Sequence, residues 1–215
     1  MSRVLHGYFR SSAAYRVRIA LNLKGLACEQ VSVHLRKGEQ RGDAFLALNP
    51  QGMVPALVDG DAVLTQSPAI LEYLDEAYPG TPRLLPDGAL DRARVRALAA
   101  AVACDIHPLN NLRVLKYIQG PLGCSQDAMI GWYNHWIAEG FAALERMLAS
   151  DPRTGRFCHG DAPGLADVCL VPQVFNSARH ALDLAPYPTI RRIADACGAL
   201  DAFQAAHPSR QPDAE

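Results

Sequence analysis

The sequence predicts a small α/β domain followed by an all-helical one, and three observations predict it. Residues 1–78 alternate short strand-like runs with runs of helical period. Residues 79–88 are dense in proline and glycine. Beyond residue 88 the apolar residues recur almost throughout at helical spacing. The expected organisation is a first domain at 1–80, a linker at 81–88 and a helical domain at 89–215.

The first element is a short strand in "RVLHGYF". Next, Ala13, Val17, Ala20, Leu21 and Lys24 fall on one helical stripe, with Gly25 as the stop. "CEQVSVHL" alternates apolar and polar residues as a half-buried strand does, and "DAFLALN" is a short helix ended by Asn49 and Pro50. "VPALVDGDAVL" reads as two strands joined through Asp59-Gly60, a hairpin signal. Ser67 is then expected to cap a helix with Pro68 in its first position and Ile70, Leu71, Leu74 and Tyr78 as its buried stripe. The order is β-α-β-α-β-β-α. After the break formed by Pro79, Gly80, Pro82, Pro86 and Gly88, residues 90–118 predict a long helix bent at His107-Pro108, because proline removes a backbone donor. A second long helix follows in "DAMIGWYNHWIAEGFAALERMLAS", with Ile130, Tyr133, Ile137, Phe141, Leu144 and Leu148 inward. "GLADVCLVPQVFNSARHAL" and "TIRRIADACGALDAFQAA" give two more, and "HPSRQPDAE" reads as a loose tail.

The 215 residues suffice for a sizeable core, and 49% hydrophobic with 20% charged is ordinary globular composition. A net charge of -1, from 21 basic and 22 acidic residues, gives no electrostatic reason to expect a nucleic-acid or membrane-surface partner. The opening "MSRVLHGYFRSS" has no apolar secretory core, and no run is long enough to span a bilayer. The six cysteines show no CxxC or metal-ligand spacing, so reduced thiols, several in the core, are expected in a cytoplasmic protein. The seven histidines form no HxxxH, and no metal site is expected.

Three places can carry chemistry. Ser11 and Ser12 open the first helix; a serine there most often only satisfies orphan N–H groups. A helix start also stabilises anions and lowers a nearby thiol's pKa, yet the chain has "SSAA" and no cysteine of its own here, so any thiolate must arrive on a ligand. Gln66 and Ser67 place donors at a second helix start, suited to a carboxylate or simply to a cap. Pro55 opens a strand, where an edge position is tolerated and a cis bond would present the Val54 backbone to a ligand.

These features, in this order, resemble the glutathione transferase superfamily, and "YFRSSAAYRVRIAL" is similar to the motif of its zeta class. "ALNPQGMVPAL", "QSPAILEYLDE", "LLPDG", "DIHPLNNLRVLKY", "LADVCLVPQV" and "DLAPYPTIRRI" extend the resemblance nearly end to end. The resemblance implies a thioredoxin-like N-terminal domain, a helical transferase C-terminal domain, glutathione as cosubstrate and a homodimer. It implies that Ser11 hydrogen-bonds the glutathione sulfur with Ser12 beside it, that Val54 pairs with the cysteinyl backbone, and that Gln66 and Ser67 hold the γ-glutamyl end. Gln40, His107 and Asn111 match positions lining the glutathione site. Arg10 and Arg179, with Arg113 as a third, match arginines facing substrate carboxylates. The implied reaction is cis–trans isomerisation of maleylacetoacetate or maleylpyruvate, with Ser11, Ser12 and Arg10 catalytic.

Two departures stand out. Ala13 replaces a cysteine common in the class, and Gly164 replaces the usual Ser or Thr before "LAD", which leaves Asp167 to meet the helix start. Without the resemblance, Arg10 reads as a solvated residue and His107 as a residue of the helix kink. Arg16 and Arg18 flank Val17 and are assigned to structure or dimer contacts; Trp132 and Trp136 are assigned to the core. The alternatives are a general glutathione transferase or dehalogenase of small α-halo acids, and a non-catalytic transferase-like assembly module. The second is disfavoured by the retained Ser11, Pro55, Gln66 and Ser67.

Overall fold

A computed structural model describes residues 2–215, which group into two compact units, residues 2–84 with 198–215 and residues 85–197. The first unit is built on β1 (Arg3–Gly7), α1 (Ser12–Leu23), β2 (Glu29–Ser32), α2 (Asp43–Leu48), β3 (Ala56–Asp59), β4 (Ala62–Thr65) and α3 (Ser67–Ala77). The sheet order is β2-β1-β3-β4: β1 pairs parallel with β2 and antiparallel with β3, and β3 pairs antiparallel with β4. The β1-α1-β2 crossover allows the parallel pair. The β3–β4 hairpin closes over Gly60, whose φ of +59° suits glycine. β1 and β2 are shorter than their sequence runs. β1 ends at Gly7, and after Val33, which still donates to the Gly7 carbonyl, the chain turns away through Gly38 at φ +83°.

Lys24, on the apolar stripe of α1, is buried and pairs with Asp75 of α3 at 3.1 Å. It also donates to the Pro82 carbonyl, and Leu84 N–H donates to Asp75. These bonds fasten residues 82–84 to the first unit, so the expected linker at 81–88 is in part anchored chain.

The second unit holds α4 (Ala89–Ala100), α5 (Leu112–Gln119), α6 (Gln126–Ser150), α7 (Leu165–Ser177) and α8 (Pro188–Gly198). The expected long helix at 90–118 is broken rather than bent. After α4 come a π-helical turn, Ala101–Ile106, a 3-10 turn, His107–Asn110, and a fresh start in which Asn111 accepts from Arg113 N–H. Pro108 has no N–H to continue the ladder, and Asn111 supplies the cap that begins α5. Gly140 of α6 lies against the π turn so closely that a Cβ there would sit 2.2 Å from Ile106 Cδ1. The inward stripe of α6 begins at Met129, not at Ile130 as the period suggested, and runs through Tyr133, Ile137, Phe141, Leu144 and Leu148.

The final expected helix divides at residues 199–200 into α8 and α9 (Asp201–Ala206). Here two expectations are corrected. Residues 198–215 pack with the first unit, not with a helical domain at 89–215, and "HPSRQPDAE" is not a loose tail. α9 lies on α1, with Arg18 donating to Ala206 O and Asn22 to Ala202 O. Gln211 is buried and donates to the Ala205 and His207 carbonyls.

Candidate functional site

In the first unit the candidate residues gather at two helix starts. Ser11 is the N-cap of α1: its Oγ accepts from Ala14 N–H at 3.2 Å, and its own N–H donates to Tyr8 O. A hydroxyl that accepts keeps its proton to donate. Ser12 is buried beside it, Ser11 and Arg10 are half-buried, and the buried Ala13 brings no thiol to the helix start. The N-terminal charge of the helix macrodipole and the Ser11 O–H therefore favour an anion that the chain does not itself supply.

The second start is built differently. Ser67 was expected to cap α3, but the N-cap position is Gln66 and no side chain caps the helix. Ser67 lies in the first turn, buried, and its Oγ accepts from Arg16 Nη1 at 3.2 Å, which leaves its O–H to donate outward. Gln66 holds a φ of +68°, costly for a side chain with a Cβ and a state that clusters at ligand sites. Its amide is steadied by Gln51, with Nε2 donating to Oε1 at 2.7 Å.

Between the two starts, the loop before β3 is tied by Asn49. Its Nδ2 donates to Met53 O at 2.7 Å and its Oδ1 accepts from Gln51 N–H. Gly52, at φ +59°, lies where a Cβ would come within 2.9 Å of Gln40 O. The Val54-Pro55 bond is cis, and the Val54 backbone enters none of the turn and loop hydrogen bonds among the described residues. Gln40 lies in a 3-10 turn, Glu39–Arg41, and its buried Oε1 has no hydrogen-bond partner. Free strand-like backbone at Val54, an unpartnered amide at Gln40 and an uncapped helix start at Gln66 fit a small peptide bearing a carboxylate.

In the second unit, half-buried His107 falls in the 3-10 turn, Asn111 at the cap of α5, and Arg113 exposed in its first turn. Arg179 is exposed in the 3-10 turn Ala178–His180 that follows α7. α6 fastens both regions. Trp132 Nε1 donates to Leu109 O and Asn110 Nδ2 to Tyr133 O; Tyr133 Oη donates to Asn176 O and Asn134 Nδ2 to His180 O. Burial, with the Arg179 cation beside it, pushes the His180 imidazole down and favours its neutral form. Trp132 and Trp136 meet edge to face at 5.5 Å, half-buried.

The departure at Gly164 is compensated as expected. Asp167 accepts from Gly164 N–H at 2.9 Å and from Cys158 N–H at 2.8 Å, while burial pushes its carboxyl up. Cys158, Cys169 and Cys197 are core residues. The contact of Arg16 with Ser67 was invisible to the helical wheel, which gives a side chain's direction but not a partner 51 residues away. The Gln51–Gln66 bond was likewise missed; only the "NPQG" turn hinted at a constrained loop. Among the described residues no group of three or more His, Cys, Asp or Glu is placed to hold a metal ion, and no helix is long and apolar enough to cross a membrane.

Residues 5–82 match the family of the glutathione S-transferase N-terminal domain. Maleylpyruvate isomerase of a Ralstonia species is 54% identical over 97% of this chain and 98% of its own. A holo structure of a maleylpyruvate isomerase, described as a bacterial zeta-class glutathione S-transferase, superposes with a TM-score of 0.96 over 99% of this chain and 100% of its own at 54% identity. Maleylacetoacetate isomerase of Methylobacterium extorquens AM1, determined with bound malonate and GSH, gives a TM-score of 0.95 at 47% identity, covering 99% of each chain.

Proposed function

The chain belongs to the zeta-class glutathione transferases, and from that premise we propose that it isomerises a cis dicarboxylic enone, maleylacetoacetate or maleylpyruvate, to the trans isomer. When bound, glutathione supplies a thiolate that adds to the double bond, permits rotation about the resulting single bond, and is regenerated by elimination. Ser11 and the start of α1 favour that ionised sulfur, with Ser12 beside them. Gln66, Ser67 and the uncapped N–H groups of α3 take the γ-glutamyl carboxylate, with Arg16 polarising the Ser67 hydroxyl from behind. Val54 offers backbone pairing; Gln40, His107 and Asn111 complete the glutathione set.

Arg10, Arg179 and Arg113 are the proposed carboxylate ligands, since a guanidinium fork matches a carboxylate bidentately and stabilises charge that develops beside it. The malonate bound together with GSH in the Methylobacterium relative supports a dicarboxylate substrate. Most of the glutathione set thus lies within residues 1–80, and two of the three substrate arginines lie beyond residue 88, in a cytoplasmic homodimer as the family suggests. The observation that carries the reading is the Ser11 hydroxyl with its proton unspent at a helix start where the chain places alanine rather than a thiol.

The test offers both substrates to the purified protein while free glutathione is quantified. Turnover of at least one with glutathione conserved is expected. Stoichiometric loss of glutathione during turnover would make the chain a conjugating transferase or dehalogenase, and no turnover of either substrate would end the proposal.

A further inference from the structure

The segment after α9, which the sequence presents as a tail, reaches the backbone immediately ahead of Arg10 and Ser11. Asp213 Oδ2 accepts from Phe9 N–H at 3.0 Å and from Ser32 Oγ at 2.9 Å. On the other side of the same residue, Arg18 Nη2 donates to Phe9 O at 3.0 Å. Arg18 is 4% exposed and is itself fixed by donating Nε to Ala206 O at 3.0 Å, with its guanidinium over the Tyr15 ring. Phe9 lies between β1 and α1, and both its backbone polar groups are thus held by side chains, the N–H by the C-terminal segment and the carbonyl by α1.

Ser11 N–H closes the turn onto Tyr8 O, so the orientation of residues 8–11 follows from that of Phe9. The strap beyond Asp213 is tied down in turn, since Glu215 pairs with His34 and lies 3.1 Å from Arg36. Beneath the strap remains a cavity of about 40 Å3 lined by Gly7, Tyr8, Arg18, Gln30, Ser32 and Asp213. Side-chain packing is therefore incomplete there, and directed hydrogen bonds hold the segment against the sheet edge.

We propose that Asp213 and Arg18 are positioning residues which grip the Phe9 peptide from both sides and thereby aim Arg10 and Ser11. The inference rests on the roles given to Arg10 and Ser11 above. Neither positioning residue touches the reacting atoms; each acts through the backbone. A bidentate arginine and a hydroxyl donor lose much of their effect when displaced by about 1 Å, so the grip affects turnover more than glutathione affinity, which depends on Gln66, Ser67 and Val54.

The experiment compares Asp213→Ala, Asp213→Asn and Ser32→Ala in the full chain. It reads kcat, KM for glutathione, and the pKa of the bound glutathione thiol by ultraviolet titration. Asp213→Ala is expected to lower kcat about tenfold and to raise the bound thiol's pKa by about one unit, with KM for glutathione within about twofold. Asp213→Asn keeps an acceptor for Phe9 N–H and restores most of both, and Ser32→Ala, which leaves the Phe9 bond intact, stays near wild type. A merely structural role would lower the folded fraction without moving the thiol pKa of the protein that remains folded.

Folded Asp213→Ala with wild-type kcat and thiol pKa would overturn the proposal. If that variant does not fold, deletion of residues 212–215 removes the same acceptor, and wild-type values there would equally overturn it. Ser11→Ala, measured alongside, separates the two layers. If Ser11→Ala leaves the thiol pKa unmoved, the reading of Ser11 fails and the positioning claim falls with it. If Ser11→Ala moves it and Asp213→Ala does not, the positioning claim alone is wrong.

Discussion

α1 and α3 both begin at a serine, and they meet the same physical demand in opposite ways. At α1 the chain satisfies its own helix: Ser11 accepts from Ala14 N–H and has a proton left over. At α3 no side chain caps the first turn, Gln66 is held at φ +68°, and the serine is occupied by Arg16. The first start is complete without a ligand and offers one donor; the second is strained and incomplete until an anion arrives. A third start, α7, shows what a purely structural solution looks like, with Asp167 taking both the Gly164 and Cys158 N–H groups. The contrast teaches that a serine before a helix is ambiguous until its acceptor and donor are counted separately.

The largest expected effect lies at α1. Ser11→Ala removes the proposed thiolate donor and should lower kcat for isomerisation by about 100-fold, as loss of one charge-stabilising donor typically does. The same change removes a cap worth about 1 kcal/mol, which thermal denaturation reads separately. Intact turnover with lowered stability would reduce Ser11 to a cap and erase its difference from Asp167.

At α7 the effect should fall on stability alone. Asp167→Ala orphans two N–H groups, one of them that of the buried Cys158, and should cost about 3 kcal/mol in urea unfolding. Isomerase activity per folded molecule should be unchanged. The pH dependence sharpens this further. Because burial raises the Asp167 carboxyl above its ordinary 3.8, the folded state binds that proton more tightly than the unfolded state does. Relative to Asp167→Asn, the wild type should therefore gain stability as pH falls from the raised value toward 3.8, and lose it as pH rises. Urea midpoints of the two proteins across that window check the sign.

The α3 start should show a trade. Gln66→Gly relieves the positive φ and should stabilise the free protein by about 1 kcal/mol while weakening glutathione binding about tenfold. Calorimetry reads both, and a variant that is more stable and binds equally well would mean that the strain serves nothing at this site. The smallest effect belongs to Gly164→Ser, a few tenths of a kcal/mol at most, since glycine is itself a well-tolerated N-cap residue. A gain of more than about 1 kcal/mol would show that start to be under-capped.

The period of apolar residues made the α/β unit, its hairpin and most of the helices legible, because burial of one face is a local property of sequence. Ser11, Ala13 and Asp167 were legible for the same reason: caps act within three residues. What escaped depended on distant partners. Lys24 looked like part of an apolar stripe because its charge is neutralised by Asp75 from another helix. The C-terminal segment looked loose because polar, proline-broken sequence gives no period, and its order comes from Arg18, Ser32 and Phe9 far away in the chain. The break at residues 101–111 exceeded the bend expected from Pro108, since Gly140 lets Ile106 approach α6 closely and Asn111 starts a new helix. Roles for Arg10, Arg113 and Arg179 came from the resemblance rather than from spacing, because a single arginine carries no local signature of its ligand.

The division of labour between the two helix starts is tested most directly by titrating the bound glutathione thiol in the wild type, Ser11→Ala and Gln66→Ala, with the dissociation constant measured in parallel. The account predicts that Ser11→Ala raises the thiol pKa with little change in affinity, and that Gln66→Ala weakens affinity with the thiol pKa unmoved. Equal shifts of the thiol pKa in both variants, or none in Ser11→Ala, would contradict it.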